Sequence, residues 1–225
     1  MLRWLPLEAE MQALETQTTE IQALQTQTPV EVNFSPLTRR YTLEEFWALP
    51  EREDRAHYEL IGGYLFMVPP PNPPHGDVAS RMNRLLVRFL DANNIEGDVH
   101  FPREPIYRDA EGATYLEPDM MYVSRELREK MGTIRTSADI VFEYVSRSTS
   151  VYDRTTKADT YLALGVRELW VVDPFTATIE VRHASKVGET PVWEGWRYPR
   201  GHQAKSRVLD GWEVSVDELF SGLTG

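Results

Sequence analysis

The sequence predicts an α/β domain in which a mixed β-sheet is flanked by helices. Two observations carry this. Helix-period and strand-like segments follow one another in the order helix, hairpin, helix, several strands, helix, strands. The 225 residues are 41% hydrophobic and 11% aromatic, enough for one domain with a real core and an appended segment.

The appended segment is residues 1–40. Leu7, Leu14 and Ile21 recur every seven residues, with Met11 and Thr18 interleaved, a short heptad-like stripe. It runs into the Gln/Thr-rich ETQTTEIQALQTQTPVEV. A poorly ordered or partly helical tail is one reading. A docking arm in an oligomer, such as a homodimer, is the other.

The compact part is expected over 41–225. Thr42 followed by Glu44, Glu45, Phe46 and Leu49 is a helix start with a capping residue and acids in its first turn. YELIGGYLFMV (58–68) reads as two strands around Gly62-Gly63. PPPNPP (69–74) is a stiff connection, since proline suits neither a helix interior nor a central strand. Over 76–92, Val78, Met82, Leu85, Leu86, Phe89 and Leu90 share one helical side, with Arg81, Arg84 and Arg88 on the other. Strands are expected at 97–108 and 114–123, and a third at 138–145, rich in β-branched and aromatic residues. A second helix runs from Asp153 to Leu164 and stops at Gly165. Residues 168–174 and 178–183 form a strand pair. The segment from Trp193 adds a strand or two before VSVDELF, where Ser215 is a helix cap.

Composition narrows the chemistry. Without cysteine there are no disulfides, thiolate metal sites or thiol catalysis. Any metal must take oxygen or imidazole ligands, which points to hard cations. No run of 18 apolar residues exists and the start lacks a signal-peptide pattern, so a soluble cytoplasmic protein is expected, with no membrane partner. The net charge of −11 counts against a nucleic-acid partner, which needs a basic face. Residues 1–60 hold eleven acids and five bases, so more than half of the excess lies in the first 60 residues.

The sharpest anomaly is Glu143, inside the apolar strand DIVFEYV. An unpaired buried carboxylate costs several kcal/mol, so a cation or a paired Lys or Arg must compensate it. Asp119 in EPDMMYV opens a second apolar run, and Lys157 lies on the helix after Glu143, with Asp153 and Tyr161 one turn away on either side. Two carboxylates and a lysine on adjacent strands and the next helix make a natural site for a divalent metal and a phosphate. A purely structural ion pair is the other reading of Glu143 and Lys157.

The series ELIGG, PPPNPPH, EPDMMYVS and DIVFEYVSRSTSVYDRTTKADTYLALGVRELWVVDP resembles the Uma-two family of restriction-endonuclease-like proteins, in the PD-(D/E)XK nuclease superfamily. The likeness runs from about Tyr41 to residue 183 and more loosely beyond. It implies a restriction-endonuclease-like core with an added antiparallel strand region. It implies hydrolysis of DNA phosphodiesters with Mg²⁺, or Mn²⁺ as a substitute, leaving a 5′-phosphate and a 3′-hydroxyl. Asp119 and Glu143 are the implied metal ligands, and Lys157 a lysine displaced from its usual place, where this chain has Val145. Glu59 is implied as a further metal contact, and His75 matches a family histidine. The chain departs from the pattern at Gly62 and Tyr64, where the family often has acids, and at Arg147, where proline is common.

Arg147, Arg154 and Arg167 are candidates for backbone contacts to nucleic acid, and Trp193, Trp196 and Tyr198 for base stacking or packing. Asp153 is expected to serve as a helix cap, or else as a ligand. The competing reading of the whole chain is a catalytically inactive nuclease fold kept as a binding or dimerisation module.

Overall fold

A computed structural model describes residues 39–71, 73–109, 112–146 and 150–223. The heptad-like stripe and Arg147 lie outside the described residues. The elements, in chain order, are α1 (Leu43–Trp47), β1 (His57–Ile61), β2 (Tyr64–Val68), α2 (His75–Ala92), β3 (Gly97–His100), β4 (Ile106–Arg108), β5 (Thr114–Leu116), β6 (Met120–Ser124), α3 (Arg125–Met131), β7 (Ile140–Tyr144), α4 (Ser150–Arg154), α5 (Thr156–Ala163), β8 (Glu168–Asp173), β9 (Thr178–Val187), β10 (Thr190–Tyr198), β11 (Gln203–Lys205), β12 (Glu213–Ser215) and α6 (Val216–Leu219).

Six strands form the central sheet in the order β10-β9-β8-β7-β6-β3. Its pairs are antiparallel except β7 and β8, which run parallel. A parallel pair needs a crossover to carry the chain back to the start of the sheet. Here α4 and α5 are that crossover, which is why Lys157 on α5 returns over the strand that carries Glu143. A second sheet has the order β2-β1-β5-β4, and β11 pairs with β12 separately.

Period-two alternation divides the sheet into two faces. Met120, Tyr122, Ile140, Phe142, Tyr144, Trp170 and Val172 join the cluster that includes Val78, Met82, Leu86 and Leu90 of α2. Those four are spaced at four residues and are buried, each worth about 1.5–3 kcal/mol of apolar burial. Met121, Val123, Val141, Val145, Leu169 and Val171 face the other way, onto Ala158, Tyr161 and Leu164 of the crossover. Glu143 shares the parity of Val141 and Val145, so it points under α5.

Local chemistry explains the ends. Thr42 and Glu45 make a reciprocal capping box on α1. Gly62 and Gly63 have φ of +58° and +85° at the two-residue β1–β2 turn, where positive φ is required at both positions. Ser215 caps α6 by accepting from Glu218 N.

The structure amends four expectations. The strand expected over 97–108 is interrupted after His100, and that expected over 114–123 breaks before Met120. The helix expected from Asp153 is two helices, divided at Thr155 with φ −121° and ψ −91°. Asp153 therefore lies within α4 and is buried, not at a cap. Nη1 of Arg81 donates to the carbonyls of Leu219 and Ser221 at 2.9 and 2.5 Å, clamping the C-terminal turn to α2. No helix among the described residues is long and apolar enough to cross a membrane.

Candidate active site

Lys157 is the centre of the site and is only 3% exposed. Its Nζ lies 3.0 Å from Glu59 Oε1 and 3.0 Å from Glu143 Oε1. It also donates to the backbone carbonyl of Glu117 at 3.4 Å. The alternation of β7 brings Glu143 here from one side, and β1 of the second sheet brings Glu59 from another. Both carboxylates are buried.

Each acid is further fixed. Tyr161 Oη, one turn after Lys157 on α5, donates to Glu143 Oε1 at 2.6 Å. Glu59 Oε1 accepts from Glu117 N at 2.8 Å and its Oε2 from Tyr152 Oη at 2.8 Å. The Tyr152 ring stacks on Phe66, the β2 partner of Glu59. Glu59 thus has both oxygens engaged by protein donors. Asp119 Oδ2 accepts from Tyr144 N at 2.8 Å and lies 3.1 Å from His75 Nε2, at the start of α2.

The electrostatics follow from burial and crowding. Burial pushes the Glu143 carboxyl well above the usual glutamate range; Lys157 opposes this, while Asp119, Asp153 and Glu59 add to it. Burial works against the charge on Lys157, but Glu143 and Glu59 outweigh it and hold the ammonium well above the usual lysine range. Asp119 also feels burial, yet its hydrogen bond to His75, together with Lys157 and the Tyr144 N–H, holds it below the ordinary aspartate value.

Asp119, Glu143, Lys157, His75 and Asp153 line one cavity of about 50 Å³, together with His57, Glu117 and Tyr144. Among its described walls, four carboxyl side chains face one ammonium, an excess that suits a cation. The hydrogen bonds of Glu143 fall on Oε1 and those of Asp119 on Oδ2. Glu143 Oε2 and Asp119 Oδ1 remain as hard oxygen donors. No group of three or more His, Cys, Asp or Glu that could hold an ion is present among the described residues. A cation here would rest on these two carboxylates and complete its shell with water, as Mg²⁺ commonly does. The residues fit such an ion.

A model of the Uma2 family, described as "putative restriction endonuclease", matches residues 43–217. The chain belongs to this family. Among solved structures it is similar to a protein of Anabaena variabilis described as a "putative nuclease belonging to DUF820", with 22% identity and a TM-score of 0.61, covering 80% of this chain and 98% of that one. At that identity the likeness shows the fold, a mixed sheet with flanking helices. No curated protein matches.

Of the other residues singled out from the Uma2 chain's sequence, some lie away from the cavity. Arg154 Nη2 pairs with Asp173 at 2.9 Å and its Nε lies 3.9 Å from Glu180, so its charge is engaged. Arg167 pairs with Asp139, beside the opposite end of β7 from Glu143. Trp193 donates to Ala158 O on α5. Trp196 packs on His183 and lies under Arg207. Tyr152 and His57 were not singled out. Tyr152 sits across the Thr155 break from Lys157, so no helical spacing links the two.

Proposed function

We propose that this Uma2 chain is a metal-dependent endonuclease hydrolysing DNA phosphodiester bonds. The observation that carries the reading is a buried ammonium held between two carboxylates with Asp119 in the same cavity.

Asp119 and Glu143 would hold the divalent cation, Mg²⁺ or Mn²⁺. Bound there, it would supply Lewis-acid polarisation of the phosphate and a more acidic water. His75 and the Tyr144 N–H orient Asp119, and Tyr161 orients Glu143. Lys157 keeps its proton at Nζ and presents fixed positive charge where negative charge builds on the phosphoryl oxygens. In this reading Glu59 is the anchor of Lys157, because both its oxygens are already taken. A homodimer and a cytoplasmic location complete the proposal as the sequence suggested them.

One observation favours the alternative of an inactive module: Lys157 already has Glu59 and Glu143 as close partners. Plasmid and single-stranded DNA, each incubated with Mg²⁺ or Mn²⁺ beside an Asp119→Ala control, decide between them. Cation-dependent cleavage lost in the variant is expected. No cleavage of any nucleic acid, or cleavage that survives the substitution, overturns the nuclease reading.

A further inference from the structure

A cavity of about 50 Å³ has room for an ion and a water or two, not for a nucleotide. Substrate must therefore be held beside it. His57 and Glu117 line this cavity and also a neighbouring cleft of about 670 Å³. That volume lies within the range of about 300–1,000 Å³ typical of small-molecule sites.

The cleft is built from α1, the loop after it and β1. Trp47 is 58% exposed, with its ring edge supported on Tyr107 at 6.0 Å. Three guanidinium groups line the cleft, Arg52, Arg55 and Arg103, against two carboxyl groups, Glu51 and Glu117, in a chain whose net charge is −11. Arg52 is tied to Asp54 and Tyr58. Arg55 is exposed, and no salt bridge of its side chain is found among the described residues. Arg103 reaches Glu117 at 3.3 Å. Arg55 and Arg103 have φ of +62° and +77°. L-residues adopt that backbone at a cost, and such strain gathers at functional sites. At the junction of the two cavities, His57 Nε2 is buried without a hydrogen-bond partner.

We infer that this cleft is a nucleotide subsite, holding one unstacked nucleotide next to the scissile phosphate, with its base on Trp47 and its phosphate on Arg55 and Arg103. A base in a continuous duplex must first be unstacked and unpaired to lie flat on Trp47, at a cost of about a few kcal/mol, so the cleft favours a single strand, flap or end over intact duplex. The inference rests on the proposed nuclease function but concerns different residues. Trp47, Arg55 and Arg103 do not line the small cavity. Base–aromatic stacking is tolerant of sequence and strong enough to dominate single-strand binding.

The test uses the full chain without metal and a short oligothymidylate, with a duplex of equal length beside it. Single-strand binding is expected to exceed duplex binding, and to weaken roughly tenfold or more in Trp47→Ala. Trp47→Phe should restore most of it, and Arg55→Ala should reduce both the affinity and its salt dependence. Because Trp47 and Arg55 are exposed, melting curves of the variants should match the parent. Equal binding of single strand and duplex, or affinity unchanged in both alanine variants, overturns the subsite. If cleavage proceeds while these variants bind as the parent does, the subsite fails and the nuclease reading stands. If binding is lost in the variants but no nucleic acid is cut with Mg²⁺ or Mn²⁺, the nuclease reading fails and the subsite stands.

Discussion

The ammonium of Lys157 lies 3.0 Å from Glu59 Oε1, joining the crossover of the central sheet to the first strand of the other sheet. Neither residue is open to solvent. The pair is part of a triad with Glu143, so its charge balance governs both stability and any chemistry.

Lys157→Met leaves Glu59 and Glu143 buried without their counter-charge. Breaking a buried pair in this way costs about 3–5 kcal/mol. Divalent cation should recover part of that loss, since an ion can take the place of the ammonium charge. Urea unfolding of parent and variant with and without Mn²⁺ measures both effects. A variant as stable as the parent in metal-free buffer contradicts the account.

Tyr161→Phe removes the 2.6 Å donor to Glu143. Where Glu143 is ionised, a hydrogen bond to a charged group contributes about 1.5–3 kcal/mol, so a loss of that size is expected in denaturant melts run above its raised titration range, and a smaller one below it. Glu143 also loses its orientation, so cation affinity should fall in the same variant. Affinity unchanged by calorimetry shows that Tyr161 serves packing alone.

Cation binding should release a proton. Burial holds the Glu143 carboxyl well above the usual range, and neighbouring acids reinforce it against Lys157. A proton therefore stays on Glu143 at pH values where an exposed glutamate is ionised, and an entering cation expels it. Affinity should rise with pH until that carboxyl is ionised. Binding heats that do not depend on the ionisation enthalpy of the buffer would sink this prediction.

Glu168 supplies an acid-sensitive clip away from the site. Although fully buried, which raises its carboxyl, it meets His183, accepts from Trp170 Nε1 and Ser206 Oγ, and takes the backbone N–H of Arg207, and the net direction is downward. A carboxyl lowered in the folded state adds stability that is complete above its unfolded value and lost as pH falls through its folded value. Glu168→Gln should be destabilised at neutral pH, and its deficit should shrink on acidification through the carboxylate range. A deficit independent of pH would falsify this role.

Much of the centre could be read from the sequence because it rests on local contrast. Glu143 stands out as an acid in an apolar run, Asp119 opens another, and the helical period places Tyr161 one turn from Lys157. The hairpin glycines and the caps at Thr42 and Ser215 are equally local. What stayed hidden depends on distant contacts. Glu59 is marked in the sequence only by the family resemblance, as a metal contact; its pairing with Lys157 shows only when β1 meets α5. Tyr152 is separated from Lys157 by the break at Thr155, which no propensity marks. Arg154 and Arg167 lie close to the motif in sequence but bind Asp173 and Asp139.

The crossover that makes β7 and β8 parallel has a temporal consequence. Residues 59, 119, 143 and 157 come from well-separated stretches of chain, so the centre exists only where β1, β7 and α5 have packed together. A nascent chain on the ribosome, or one that has begun to open at β1, holds the acids without the fixed lysine. If the centre cuts DNA, it is armed only where these separate stretches have come together, and any opening that parts α5 from β1 or β7 disarms it.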